Sequence, residues 1–264
     1  MSFSGRSILY PKRRPGAANR LFCFPHAGVG PSVFRGWADQ LGSDTEVCLI
    51  QIPGREGRLR EAPYSSIGAL LPGLIADMAA LLDRPFAFYG HSLGATVAFE
   101  CALNVRKNLG LEPVHIFAGA SQAPQLPWKH SPMRALPETE FLSEMARRYG
   151  ALPAEVISDA EMRALVVPIL RADISMIEKY VHLPESPLSC DMTVFGGMRD
   201  HMVARHDLES WRELTTGRFR LQMLDGNHLF LKSHRDHLLH SIAGEMNQYR
   251  AHGSRPDGLK ETRI

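Results

Sequence analysis

The sequence has few cysteines, little net charge and no long apolar run. Its four cysteines, Cys23, Cys48, Cys101 and Cys190, are widely separated beside apolar stretches, so we predict buried, reduced thiols rather than a zinc site or redox pair. The net charge is +2 with both signs interspersed, so the composition does not imply a broad basic face for nucleic acid. Residues 1–6 lack the apolar core of a signal peptide, and no segment is long enough to cross a bilayer. We therefore expect a cytoplasmic monomer with no metal, no nucleic-acid partner and no membrane partner.

Apolar runs alternate with helical patterns along most of the chain. With 264 residues, of which 44% are hydrophobic, the chain can bury a large core in one catalytic domain. Strands that are apolar throughout, with helices between them such as 67–82, indicate a mostly parallel sheet covered on both faces, an α/β fold. We place the first strand at 20–25, after a polar start at 1–19. The other predicted strands are 47–53, 86–89, 114–119, 191–197 and 219–224.

The alternation stops after Ala120. Residues 122–131 are rich in proline, and two helical patterns follow, at 137–149 and about 159–180, with no strand between them. An insertion at the carboxyl edge of the sheet is placed to form a helical lid, although a plain helical cap with no gating role fits the same pattern. We therefore divide the chain into an N-terminal core part (1–121), a helical lid insertion (122–187), a C-terminal core part (188–250) and a flexible tail (251–264).

A serine stands in a cramped turn between a strand and a helix. Gly90-His91-Ser92-Leu93-Gly94 follows the apolar run 85–89 and leads into the helical pattern 95–103. Glycines are needed on both sides because side chains there would collide with the neighbouring strand and helix. This arrangement is the nucleophile elbow of the α/β-hydrolase fold, and it predicts Ser92 as the nucleophile, although an ordinary glycine-rich turn is the alternative.

A serine nucleophile needs a base and an acid that orients the base. In this fold both follow the serine along the chain, on loops after late strands. Asp200 follows the strand that ends at 197, and His228 follows the strand that ends at 224, so we predict them as acid and base. A helix cap and a loop histidine are the alternatives for these two. The rival positions are Asp207 and Asp225 for the acid, and His201, His206 and His234 for the base.

The loop after the first predicted strand is rich in glycine. It reads Phe24-Pro25-His26-Ala27-Gly28-Val29-Gly30, and in this fold such a loop supplies one amide of the oxyanion hole. We predict the backbone N–H groups of Ala27 and Leu93 as the two donors, with a simple glycine turn as the alternative. The candidates for the substrate channel are His26, Arg55, His91 and Phe230.

Together these segments resemble the type II thioesterases that accompany nonribosomal peptide and polyketide synthases, including the medium-chain acyl carrier protein hydrolases of animals. The resemblance covers most of the chain. Its most specific segment is Pro53-Gly54-Arg55-Glu56, although Arg55 and Glu56 taken alone could form a loop ion pair. The other matching segments are 24–28, 51–58, 90–95, 197–200 and 228–231, together with Phe34, Trp37 and Val203.

The resemblance implies the triad Ser92, Asp200 and His228, and a lid over a channel for the phosphopantetheine arm of a carrier protein. The protein then needs no cofactor, because the substrate carries the phosphopantetheine. Two positions depart from the family: Asn227 stands where the family usually has Gly, and Leu93 where it often has Met. Neither change removes a catalytic group, but Leu93 is expected to reshape the acyl pocket.

The function implied by the resemblance is hydrolysis of stalled or wrongly primed acyl groups from acyl or peptidyl carrier domains of a synthase. Four basic residues near the expected lid, Arg147, Arg148, Arg163 and Arg171, are candidates for docking an acidic carrier, although solvated helix faces also carry such residues. The alternatives are a chain-releasing thioesterase or carboxylesterase on the same scaffold, and a non-catalytic carrier-binding module.

Overall fold

The computed structural model describes residues 2–4, 7–150, 152, 156 and 158–249, and its centre is an eight-stranded sheet. The strand order is β1-β2-β4-β3-β5-β6-β7-β8. Strands β3 to β8 are parallel, whereas β2 pairs antiparallel with both β1 and β4. The prediction of a mostly parallel sheet is confirmed. The strands are β1 (Ser2–Ser4), β2 (Ile8–Tyr10), β3 (Asn19–Phe24), β4 (Thr45–Ile50), β5 (Phe86–His91), β6 (His115–Gly119), β7 (Asp191–Gly197) and β8 (Phe219–Leu224).

The sheet begins earlier than the sequence predicts. The expectation that it starts at residue 20 is wrong, because β1 and β2 precede that point. Strand β2 has only three residues, too few for an apolar run to stand out among polar neighbours. Its side chains are nevertheless buried, since pairing with β4 places them in the core.

The helices cover both faces of the sheet. Side chains alternate along each strand: on β3, Phe22 packs with one apolar cluster and Leu21 with another. The first cluster includes α2 and α3, and the second includes α1 and α8. The α-helices whose bounds the structure describes are α1 (Trp37–Gln40), α2 (Ile67–Ala79), α3 (Leu93–Leu109), α4 (Glu138–Tyr149), α5 (Ala160–Glu178), α6 (Arg205–Glu209), α7 (Phe230–Ser233) and α8 (Arg235–Gln248).

Helices α4 and α5 form an insertion between β6 and β7. Both lie where the sequence predicts helices, and in the described part of the insertion no strand separates them. They share a small apolar core of their own, which holds the two helices together. That core consists of Met133, Phe141, Met145, Val167, Leu170 and Ile174.

The remaining predictions concern the tail, membrane-spanning segments and the cysteines. The predicted flexible tail, 251–264, lies outside the described residues. None of the helices in the described ranges is both long enough and apolar enough to span a bilayer. The four cysteines are all buried and unpaired, as predicted.

Candidate active site

Ser92 occupies a strained turn between β5 and α3. Its φ of 54° and ψ of −120° are unfavourable for a residue with a side chain, and its amide donates to the Gly119 carbonyl at 2.7 Å. A Cβ on Gly90 would lie 2.2 Å from the Gly94 carbonyl oxygen, and one on Gly94 would lie 2.2 Å from the carbonyl oxygen of Phe24. The close approach of strand and helix therefore requires both glycines and presents the serine hydroxyl at the carboxyl edge of the sheet.

A chain of hydrogen bonds joins Ser92, His228 and Asp200. The Ser92 Oγ lies 2.9 Å from His228 Nε2, and His228 Nδ1 lies 2.8 Å from Asp200 Oδ2. Because a carboxylate only accepts, Nδ1 carries the imidazole proton and Nε2 is left to accept the hydroxyl proton. The other Asp200 oxygen accepts from the amides of Met202, at 2.8 Å, and Val203, at 3.3 Å, which fixes the carboxylate. The three side chains predicted as a triad are brought together in the predicted order.

The rival acids make other contacts. Asp207 pairs with Lys129 and accepts from the Ala204 amide at 2.8 Å. Asp225 pairs with Arg199 at the surface. Of the rival bases, His206 pairs with Asp207, His234 lies beside Ser233, and His201 is exposed. The structure therefore brings Asp200 and His228, and not these rivals, to the serine.

Ala27 and Leu93 carry the two backbone amides that the sequence predicts as donors to an oxyanion. Leu93 begins α3, so its N–H belongs to the positive end of the helix dipole, and Ala27 lies in the loop after β3. Among the described residues, no protein acceptor pairs with either amide. Both groups are therefore free to donate, as an oxyanion hole at Ser92 would require.

Two cavities meet at Ser92, Tyr149 and His228. The larger has a volume of about 330 Å³, and the smaller has about 50 Å³. The larger is lined by His26, Ala27, Gly28, Val29, Met145, Leu152, Val156, Met162, Val166, Leu170 and Leu229 in addition to the shared residues. The smaller is lined by Leu93, Thr96, Ala120, Ser121, Gln122, Pro124, Leu126, Trp128, Ile177, Tyr180, Met202 and Val203 in addition to the same three.

Tyr149 was not predicted from the sequence. Its ring centroid lies 5.1 Å from that of His228, and burial raises the pKa of its hydroxyl. The residue ends α4 and precedes Gly150, a position that carries no sequence signal for a role at the serine. Only the fold of the insertion brings it there.

One of the four channel candidates lines a cavity. His26 lies in the wall of the larger cavity, whereas Arg55, His91 and Phe230 line neither of the two cavities at Ser92. Arg55 is 3% exposed and forms an ion pair with Asp173. His91 and Phe230 are fully buried and pack edge to face with ring centroids 4.8 Å apart. These three side chains lie behind the cavity walls because their partners are in the core, which the motif pattern does not reveal.

The two histidines near the serine loops are neutral at neutral pH. Burial lowers the pKa of His26 to about 4, and it lowers the pKa of His91 well below the usual histidine value. His26 Nδ1 lies 2.9 Å from the Ala27 carbonyl oxygen, so this nitrogen carries the proton and donates. Both rings therefore act as hydrogen-bond donors and not as cations.

The four arginines predicted to dock a carrier differ in their surroundings. Arg148 is buried and donates to a carboxylate and a carbonyl of the insertion. Arg171 donates to two backbone carbonyls there. Arg163 has 29% of its side chain exposed, and Arg147 has 67%. Arg148 and Arg171 thus stabilise the insertion, and Arg147 is the most exposed of the four.

No group of three or more histidine, cysteine, aspartate or glutamate side chains in the described ranges is arranged to hold a metal ion. The polar groups around Ser92 are instead those of acyl transfer: a hydroxyl, an imidazole, a carboxylate and two free amides.

Comparison with known proteins agrees with this chemistry. The sequence profile of the family described as "Thioesterase domain" matches residues 19–246. The gramicidin S biosynthesis protein GrsT of Aneurinibacillus migulanus is 39% identical over 212 residues, covering 80% of this chain and 82% of GrsT. The RedJ thioesterase from the prodiginine pathway of Streptomyces coelicolor superposes with a TM-score of 0.81 at 35% identity, covering 88% of this chain and 87% of RedJ. The type II thioesterase BorB from the borrelidin cluster superposes with a TM-score of 0.82 at 28% identity, covering 93% of this chain and 98% of BorB.

The profile spans most of the chain, and the relatives are similar to the chain in sequence and in fold. The chain therefore belongs to the thioesterase family and hydrolyses thioesters.

Proposed function

We propose that this chain is an editing type II thioesterase, which removes acyl groups from the phosphopantetheine arms of synthase carrier proteins with Ser92 as nucleophile. The observation that carries the proposal is the hydrogen-bonded chain from Ser92 through His228 to Asp200 at the junction of two cavities. A thioester has two sides, an acyl chain and a thiol arm. A nucleophile at the place where two cavities meet suits such a substrate.

The first half of the reaction transfers the acyl group to the enzyme. Ser92 Oγ attacks the thioester carbonyl carbon while His228 Nε2 takes the hydroxyl proton, and Asp200 stabilises the imidazolium. The amides of Ala27 and Leu93 bind the oxyanion, each contributing about 3 kcal/mol to transition-state stabilisation. The C–S bond then breaks, and the thiolate takes the proton from His228. The pantetheine thiol departs, and the acyl group stays bound to Ser92 as an ester.

The second half releases the acid. A water molecule gives a proton to His228 Nε2 and attacks the ester carbonyl, the same two amides bind the second oxyanion, and the proton returns to Ser92 Oγ as the ester bond breaks. The products are the carboxylic acid and the free enzyme. Besides the substrate, which carries the phosphopantetheine, and one water molecule, these steps use side chains and backbone of the protein.

The larger cavity is assigned to the acyl chain. Apart from the junction residues and the 26–29 loop, its wall consists of seven apolar side chains. One is Leu229, and the other six belong to the insertion: Met145, Leu152, Val156, Met162, Val166 and Leu170. The smaller cavity, at about 50 Å³, has room only for the thiol end of a pantetheine arm, and it presents Thr96, Ser121 and Gln122 as polar partners for the amide nearest to that end. Selectivity then depends on how well an acyl chain fills the larger cavity.

The insertion acts as the lid in this proposal. Helices α4 and α5 supply most of the apolar wall of the larger cavity, so they cover the acyl chain and exclude bulk water. This assignment divides the chain into core parts 1–121 and 188–250 with a lid at 122–187.

The partner is the carrier domain that delivers the arm. The four buried, unpaired thiols suit a reducing cytoplasm, and we expect the enzyme to work there as a monomer.

The test uses a panel of acyl-loaded carrier proteins followed by intact-protein mass spectrometry. The chain should remove the acyl mass, and Ser92→Ala should lower kcat by about a thousandfold or more. Ser43→Ala, at an exposed position before β4, is the matched control and should behave as the parent. A non-catalytic carrier-binding module predicts no difference between parent and Ser92→Ala. Faster turnover of p-nitrophenyl esters than of acyl carriers would favour a carboxylesterase.

A further inference from the structure

Helix α5 carries a carboxylate on its apolar face. Asp173 is fully buried and its neighbours Leu170 and Ile174 are 4% and 2% exposed. An unpaired carboxylate in such a place costs several kcal/mol, so its partners decide whether the helix can pack there. In the sequence, Asp173 is a single acidic residue within the largely apolar run 164–177, and a lone acidic residue in a helix does not by itself indicate a role.

Asp173 has partners on two loops of the core. Arg55, in the loop after β4, donates Nη1–H to Asp173 Oδ2 at 2.6 Å and Nη2–H to Oδ1 at 2.8 Å. The backbone N–H of Gly28, in the loop after β3, donates to Oδ2 at 2.7 Å. One carboxylate of the insertion is therefore bound both to the Pro-Gly-Arg-Glu motif and to the loop beside Ser92.

The peptide group between Ala27 and Gly28 is held at both ends. Its N–H donates to Asp173, and its carbonyl oxygen accepts from His26 Nδ1 at 2.9 Å. Ala27 carries the amide that we assign to the oxyanion. The direction of that amide depends on the φ and ψ angles of Ala27, and a fixed following peptide restricts both.

The same turn of α5 also packs against the loop after β3, which contains Gly28. Gly28 has φ of 80°, and a Cβ there would lie 2.5 Å from Leu170 Cδ2. Leu170 and Asp173 are three positions apart, so they lie on one face of the helix. The loop is thus fixed against α5 by an apolar contact and a hydrogen bond together.

We propose that Asp173 is a positioning residue for catalysis: it holds the Ala27–Gly28 peptide so that the Ala27 N–H faces the oxyanion, while Arg55 fixes and neutralises its carboxylate. The inference rests on the proposed function and assigns a role to the Pro-Gly-Arg-Glu motif, which the triad alone leaves unexplained. Asp173 touches no reacting atom, so its effect passes through the loop.

The test removes the pair without leaving a buried charge. The double variant Arg55→Met/Asp173→Leu replaces it by apolar side chains, a change that often preserves stability. We expect kcat on an acyl-coenzyme A to fall about 10- to 100-fold, as for a small misplacement of a catalytic group, with KM within about twofold. The Ki of an alkyl trifluoromethyl ketone, which adds Ser92 Oγ and forms a tetrahedral oxyanion, should rise by the same factor as kcat falls.

The matched control is Arg20→Met/Glu46→Leu. This pair is also buried, with Arg20 Nε 2.9 Å from Glu46 Oε2, but it joins the amino-terminal ends of β3 and β4, at the sheet edge opposite Ser92. It should change Tm while leaving kcat and Ki at the parent values. If Arg55→Met/Asp173→Leu does not fold, Asp173→Asn keeps the shape but leaves one oxygen for three donors, and the same readouts should move in the same direction.

The inference is overturned if the folded Asp173 variants keep the parent kcat, or if kcat falls while the Ki of the ketone stays unchanged. A change confined to Tm would make the pair structural only. Failure of the proposed function looks different: Ser92→Ala would then keep its activity, whatever the Asp173 variants do.

Discussion

His91 donates its Nε2–H to the carbonyl oxygen of His228 at 2.8 Å. The residue before the nucleophile is thereby tied directly to the backbone of the base, although 137 positions separate them in the chain. Because burial keeps His91 neutral, this donor does not add a positive charge beside the imidazole of His228. The distance between Ser92 and His228 is therefore fixed by the core as well as by their own hydrogen bond.

Asp200→Asn should lower kcat by about a thousandfold or more. The side-chain amide of the Asn would donate to His228 Nδ1, which favours the wrong tautomer of the neutral imidazole and cannot stabilise the imidazolium. Steady-state rates on an acyl-coenzyme A measure this. Asp225→Asn is the matched control, since Asp225 pairs with Arg199 at the surface, and its kcat should equal the parent value. Equal losses in both variants would contradict the assignment of Asp200.

Gly90→Ala should abolish activity and reduce the yield of folded protein, because its Cβ would lie 2.2 Å from the Gly94 carbonyl oxygen. Gly73→Ala is the control. Gly73 lies inside α2 with nothing within 4 Å of its added Cβ, so this change should stabilise the fold by about 0.5–1 kcal/mol. Thermal unfolding and kcat of both variants decide whether the turn at Ser92 needs its glycines.

Val166→Trp should lower kcat/KM for long acyl chains and spare acetyl thioesters, because the indole fills part of the larger cavity. The neighbouring Leu165 is 51% exposed and does not line that cavity, so Leu165→Trp should leave the chain-length profile unchanged. A series of acyl-coenzyme A substrates from two carbons upward provides the profile. The same profile in Val166→Trp as in the parent would place the acyl chain elsewhere.

His115 should make the fold less stable in acid. Burial lowers its pKa from 6.5 to about 3, so between these values the unfolded chain binds a proton that the folded chain does not. The free energy of unfolding should therefore fall with decreasing pH through this window, by up to about 1.4 kcal/mol per pH unit for this one group. Urea unfolding at several pH values gives the free energy of unfolding as a function of pH. This free energy should depend less steeply on pH in His115→Gln than in the parent, and equal slopes would argue against a neutral His115.

Arg147→Glu should raise KM for acyl carrier proteins and leave KM for acyl-coenzyme A unchanged, because only the carrier presents an acidic surface to the insertion. Arg205→Glu is matched in exposure, since each side chain is 67% exposed and each pairs with a glutamate on its own helix. It should have no effect on either KM. A rise for both substrates in Arg147→Glu would reject docking at this helix.

Much of the architecture follows from local pattern. The predicted strands at 86–89, 191–197 and 219–224 and the helices at 137–149 and 159–180 agree with the observed elements to within a few residues. Long apolar runs and helical periodicity are properties of neighbouring residues, so they can be recognised without knowledge of the fold. Strand β2 was not predicted, because three apolar residues are too few to show a period.

The sequence by itself determined the parallel sheet, the elbow at Ser92, and the order of serine, aspartate and histidine, since chain order and glycine spacing are fixed by the letters. Only the tertiary structure decided that Asp173 and Tyr149 lie beside the site, and that Arg55, predicted in the channel, is buried behind it. The reason is that a side chain's partners come from segments far apart in the chain. Which of them meet depends on how helices pack over the sheet, not on local periodicity.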